Sequence, residues 1–135
     1  MAASQELETG RNQLENMKKQ EELIQVTLEE YIRAKEALED LKTKKEGDEI
    51  LVPIGANCWV HAVLGDTTKS IASIGSNLAA GQNTEDVIER LDRQLEEITE
   101  AQEEVTEKIG HLEARVSQLT QELQKAYSEM QGPND

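Results

Sequence analysis

Phenylalanine is absent from this 135-residue chain, and the aromatics amount to one Trp and two Tyr. Aromatic side chains supply much of the buried area of compact cores, so their scarcity argues against a self-sufficient globule. Cys58 is the single cysteine. No intrachain disulfide is possible, and a reducing compartment fits. Basic residues are scarce beside acidic ones, 14 against 28, for a formal net charge of −14. Such a surface repels phosphate backbones and anionic lipid, so neither nucleic acid nor a membrane is an expected partner. No apolar run approaches the roughly 20 residues needed to cross a bilayer. The N-terminal MAASQELETG has neither the basic nor the apolar block of a signal peptide. The expectation is a soluble, cytoplasmic protein.

What the chain does have is helical pattern on both flanks. From about residue 4 to 46 there is no Pro, and Leu7, Leu14, Glu21, Leu28, Lys35 alternate with Gly10, Met17, Ile24, Tyr31, Leu38 at heptad spacing. Seven of those ten are apolar or aromatic, which makes a real but imperfect coiled-coil seam. Leu23, Ile32 and Leu41 lie beside it and are expected to widen the apolar face. Ser4 reads as the N-cap, with Glu6 and Glu8 in the first turn. Lys42, Lys44 and Lys45 suit the C-terminal end, and Gly47-Asp48 reads as the break. From about 84 to 131 the seam is cleaner. Ile88, Leu95, Gln102, Ile109, Val116, Leu123, Met130 run beside Leu91, Ile98, Val105, Leu112, Leu119, Ala126, and Gln102 is the one polar member. Asn83 or Thr84 caps this helix, and residues 132–135 form a frayed tail. Two such arms of about 60 Å should fold back antiparallel, residue i facing about residue 130 − i. That sets Leu7 near Leu123 and Leu14 near Val116.

Between the arms, about residues 49–82, the only charges after Glu49 are Asp66 and Lys69. Short β-branched runs are separated by Gly55-Ala56-Asn57, Gly65-Asp66-Thr67-Thr68 and Gly75-Ser76-Asn77, which predicts two successive β-hairpins. Pro53 confines the first strand to an edge or an end. Four short strands bury too little to stand alone, and their apolar edges aggregate unless paired. The strands should therefore pair with strands of other subunits, through Leu51, Val52, Ile54, Trp59, Val60, Val63, Ile71, Ile74 and Leu78.

Reactive chemistry is not evident. His61 and His111 read as structural or solvated, Cys58 as a small core residue, and the glutamate pairs as solvated helix faces. Gly65-Asp66-Thr67-Thr68-Lys69-Ser70 faintly resembles a phosphate loop but lacks the glycine before the Lys and a following helix. No catalytic residue, metal site or cofactor is expected, and the reading points away from an enzyme.

The order helix, LVPIGANCWVHAVLGDTTKSIASIGSNLAAGQN, helix resembles an alpha-class subunit of the prefoldin family. The resemblance is most specific at Leu51-Val52-Pro53-Ile54-Gly55, Val63-Leu64-Gly65-Asp66 and Ile74-Gly75; the beta class has one hairpin, not two. It spans the chain as a single prefoldin-like domain. It implies a mainly α fold with a small β module, a long antiparallel two-helix coiled coil whose two central hairpins join an oligomeric β-barrel. It further implies an ATP-independent holdase, a hexamer of two alpha-class and four beta-class subunits. That hexamer captures unfolded client proteins at the coiled-coil tips and delivers them to a group II chaperonin. By position, the client-binding tip residues would be Leu7, Leu14, Met17, Leu119, Leu123, Tyr127 and Met130. Leu14, Leu119 and Leu123 also read as intramolecular seam. The rival reading is a structural or tethering coiled coil oligomerised through its hairpins.

Overall fold

The computed structural model describes residues 2–76 and 78–131, apart from the side chain of Ile74. Helix α1 covers Ala2–Lys42 and helix α2 covers Thr84–Gln131. Between them lie strands β1 (Glu49–Gly55), β2 (Cys58–Val63), β3 (Lys69–Gly75) and β4 (Leu78–Asn83). The frayed tail expected at 132–135 falls outside the described residues. The chain divides into two compact units. One joins the chain up to Leu28 with the chain from Ile98 onward, and the other is Glu29–Glu97.

In the first unit the early part of α1 and the late part of α2 run antiparallel. Gln102 Nε2 donates to Gln25 Oε1 at 2.6 Å, and Thr106 Oγ1 to Glu21 Oε2 at 3.2 Å. In the second unit Lys35 bonds Asp92, and Lys42 Nζ reaches Glu85 Oε1 at 2.8 Å. In all four pairs residue i faces residue 127 − i, three positions from the expected register. All ten heptad positions of α1 are buried or half-buried, including Glu21 and Lys35. Their charged ends reach a partner across the seam while their methylenes pack. On α2 only the last two seam positions, Ala126 and Met130, are exposed.

Three local expectations need correction. Ser4 does not cap α1, because the helix begins at Ala2 and has no acid in its first turn. Only Lys42 of the lysine cluster lies in the last turn. Leu23 does not widen the seam: at 69 % exposure it points away, as does Val26 at 53 %. Ile32 is also exposed, whereas Leu41 is half-buried.

The hairpins form two separate two-stranded sheets, β1-β2 and β3-β4. In the first, Ile50 pairs with Ala62, Val52 with Val60 and Pro53 with Trp59. In the second, Ile71 pairs with Gly81 and Ala72 with Ala80. Each register shifts by one residue just before its turn, between Pro53 and Gly55 and between Ser73 and Gly75. The turns use left-handed backbone at Gly55, Ala56, Asn57, Gly75 and Ser76, which Gly and Asn accept at low cost.

Thr84 ties the second hairpin to α2. It is 2 % exposed, its backbone N–H donates to Thr68 O at 2.9 Å, and its hydroxyl donates to Thr67 O at 3.0 Å. Ser70 Oγ lies 2.7 Å from the same hydroxyl. Asn83, the other cap candidate, instead accepts from Lys69 Nζ at 2.7 Å. Val87 and Ile88 are buried one turn on.

Candidate functional site

Two surfaces bring together the residues singled out in the sequence. The first is the hairpin module. Side chains of paired residues in an antiparallel ribbon share a face, so Ile50, Val52, Val60 and Ala62 lie on one side and Leu51, Pro53, Trp59 and His61 on the other. Both sides are apolar, and little covers either. Leu51 is 59 % exposed, Trp59 56 %, and Val63, Ile54, Val52 and Val60 are exposed as well. Ile71 and Leu78 stand out from the second hairpin in the same way. Ile74, the remaining expected assembly residue, has its side chain outside the described residues. Exposed apolar side chains gathered in this way make the module a candidate interaction surface.

Polar groups at the base of the module hold its geometry. Asp66 accepts from the Thr68 hydroxyl at 2.6 Å and from the Thr68 N–H at 2.9 Å. Those two bonds, with Lys69 nearby, hold its carboxyl below the usual aspartate range. On the helices, Lys35 and Lys42 are pushed above the ordinary lysine value, chiefly by their hydrogen bonds to Asp92 and Glu85. Cys58 is exposed rather than the core residue expected, its thiol 3.5 Å from Ala56 O.

The second surface lies at the end of the first unit that holds both Leu7 and Tyr127. A depression of about 410 Å³ is lined by Leu7, Leu123 and Tyr127 with Thr120, Gln124, Ser128 and Gln131. Tyr127 and Met130 are 66 % and 79 % exposed. Leu14, Met17 and Leu123 are half-buried. Leu119 is 2 % exposed, so it holds the helix pair together and offers no surface.

A feature not foreseen from the sequence runs along one side of the same helix pair. Gln13, Asn16, Met17, Gln20, Lys108, His111 and Leu112 line a depression of about 510 Å³. It adjoins a second, of about 490 Å³, through shared Gln13 and Leu112, where Gly10, Arg115 and Leu119 take part. The basic spacing of Lys108, His111 and Arg115 is readable in the sequence; the opposing amide wall on α1 emerges only with the register. Among the described residues no three His, Cys, Asp or Glu side chains are placed to hold a metal ion. No helix among them is long and apolar enough to cross a membrane.

Comparison with known proteins places these surfaces in context. The family model described as Prefoldin subunit matches residues 11–129. The chain is 32 % identical over 105 residues to prefoldin subunit alpha of Pyrococcus horikoshii, covering 77 % of this chain and 71 % of that one. Among solved structures it is similar to a filamentous PFD from Methanocaldococcus jannaschii, determined by cryo-electron microscopy. That match has a TM-score of 0.70 and 21 % identity, over 88 % of this chain and 98 % of the other. It also resembles the prefoldin beta subunit of Thermococcus strain KS-1, with a TM-score of 0.61 and 17 % identity over 93 % and 89 % of the two chains.

Proposed function

This chain belongs to the prefoldin family, and on that premise we propose that it is an alpha-class subunit of a hexameric, ATP-independent co-chaperone. The observation that carries this is the pair of β-hairpins with both apolar faces of the first left open, set between two antiparallel helices. Two hairpins fit the alpha class. Unpaired strand edges call for strands from other subunits, and beta-class chains are the natural donors, two alpha with four beta closing an oligomeric barrel. The helix end lined by Leu7, Leu123 and Tyr127, with Met130 beside it, then serves as the client-binding tip. Unfolded polypeptide held there passes to a group II chaperonin in the cytoplasm. Leu14 and Met17 contribute only where the helix pair leaves them half open.

The test is aggregation of a chemically denatured client, followed by light scattering, with purified complex and no nucleotide. Suppression is expected, and loss of residues 1–10 and 124–135 should weaken it while the hexamer stays intact by mass. Full suppression by the truncated, intact hexamer would remove the tip assignment. A stable assembly of this chain alone that ignores a beta-class partner would favour the tether instead.

A further inference from the structure

We propose that the second strand of each hairpin, β2 and β4, is the edge that receives strands of beta-class subunits, while β1 and β3 are guarded edges that join late and over shorter runs. The proposal rests on the hexameric assembly above and names the part of the module that docks. Hydrogen-bond parity determines which backbone groups are free. Leu64 N–H donates to Asp48 O at 2.9 Å, one step outside the Glu49–Val63 pair. Bonded and non-bonded pairs alternate along an antiparallel ribbon, so Ile50–Ala62 and Val52–Val60 satisfy each other. The backbone groups of Glu49, Leu51 and Pro53 on β1, and of Trp59, His61 and Val63 on β2, therefore point away from the ribbon. Thr84 N–H on Thr68 O at 2.9 Å sets the second hairpin in the same way. There Lys69, Ile71 and Ser73 of β3 and Ala79, Gly81 and Asn83 of β4 point outward. No strand of this chain pairs with any of these four edges.

The two edges of a ribbon are not equivalent. Along β1 the outward positions are Glu49, Leu51 and Pro53, so a charge stands at one end and a residue without an N–H at the other. Because Pro53–Trp59 is a non-bonded pair, the missing donor leaves the hairpin intact and is lost only to an outside strand. The register shift also places its extra residue, Ile54, on β1. Along β3 the first outward residue is Lys69, whose N–H already donates to Asp66 O at 3.4 Å and whose Nζ donates to Asn83 Oδ1. The extra residue of that ribbon again lies on its first strand. Charge, proline and bulge are the devices that keep an edge from pairing. β2 and β4 carry none of them. Trp59, His61 and Val63 stand exposed along β2, and Gly81 lets a neighbouring backbone come close to β4. With no Asp, Glu, Lys or Arg on either strand, the incoming strand is apolar where it meets Trp59 and Val63. A second copy of this chain is the poorer donor, because it brings −14 against −14.

The experiment uses the full chain, alone and with a beta-class partner, and follows amide hydrogen exchange strand by strand by mass spectrometry. On complex formation β2 and β4 should gain protection before β1 and β3, and more of it. His61→Pro removes an outward N–H at the level where Leu51→Pro removes one from the opposite edge. Measured against His61→Ala, His61→Pro should weaken the complex by about tenfold. Leu51→Pro, measured against Leu51→Ala, should cost clearly less. Protection that falls equally on both strands of a ribbon, or first on β1 and β3, overturns the proposal, as does a loss at Leu51→Pro that equals or exceeds the one at His61→Pro. Failure of the parent chain to bind the beta-class partner overturns the hexameric assembly as well. Self-association of the chain alone that protects β2 and β4 also overturns the proposal, because a second copy would then hold those edges.

Discussion

At the scale of single residues, Gly10 sets how closely the two helices approach. A Cβ built there lies 3.2 Å from Val116 Cγ2, a contact that a small rotation of the half-buried valine relieves. Glycine in a helix costs about 0.5–1 kcal/mol relative to alanine, so the propensity gain wins over the tight contact. Gly10→Ala should raise the melting temperature slightly, whereas Gly10→Leu should lower stability by about 1–3 kcal/mol through overpacking. Thermal melts of the two variants beside the parent decide both signs. Thr84 shows the opposite economy. Thr84→Val keeps the shape but removes the hydroxyl that serves Thr67 O and Ser70 Oγ, and leaving buried partners unsatisfied costs about 1–3 kcal/mol. Denaturant titration should show that loss.

At the scale of elements, polar insertions in an apolar seam fix alignment. Glu21, Gln102 and Lys35 occupy seam positions, and each meets a polar group on the facing helix. A slip of three residues, to the 130 − i alignment, would set these groups opposite Ile109, Leu28 and Leu95. Gln102→Leu should therefore raise thermal stability while loosening register, read as new cross-helix products when cysteines are scanned along α1 and oxidised. The lysine ion pairs of the helices and the Thr68 hydrogen bonds to Asp66 in the module respond oppositely to pH. Lys35 and Lys42 have raised values in the folded state, so their contribution is complete below the unfolded lysine value of about 10.4 and fades as pH rises past it. Asp66 has a lowered value, so its contribution is complete above about 3.9 and is lost as pH falls through the lower folded value. Loss of hairpin order on the acid side should be smaller in Asp66→Asn, checked by the Trp59 fluorescence signal against pH.

Much of the elements was legible because heptad period survives in sequence. The α1 positions with glutamate, lysine and glycine in the seam still proved to face α2. The hairpins were legible through Gly55, Asn57 and Gly75, where positive φ demands those residues or tolerates them. What escaped were properties of pairs of distant residues. The Thr84 anchorage, the Arg115–Glu6 bridge and the amide wall opposite Lys108 depend on which residues the fold-back brings together, and no local pattern encodes that. Leu23 and Ile32 were expected beside the seam, yet their angular position turns them outward.

At the scale of the whole molecule, net charge competes with the ion pairs. The described pairs are mostly solvent-exposed, where each is worth roughly 0–1 kcal/mol and salt weakens it. Self-repulsion from −14 also weakens with salt and acts on every residue at once. Repulsion should win, so the melting temperature should rise between about 0.05 and 0.5 M sodium chloride. A fall would mean that the cross-helix pairs Lys35–Asp92 and Lys42–Glu85 matter more than their exposure indicates.

The one-residue register shifts before the two turns carry a consequence for solubility. A bulge steepens the right-handed twist of its ribbon, and a strongly twisted ribbon fits a curved wall better than a flat stack. Each hairpin here has one, at the same distance from its turn. Strands of neighbouring subunits joined to such ribbons in the proposed hexamer would bend round and meet, leaving no edge for a further chain. In the proposed assembly, a ring closed in this way would end pairing at the hairpins' apolar edges, where a flat stack would continue as a cross-β fibre.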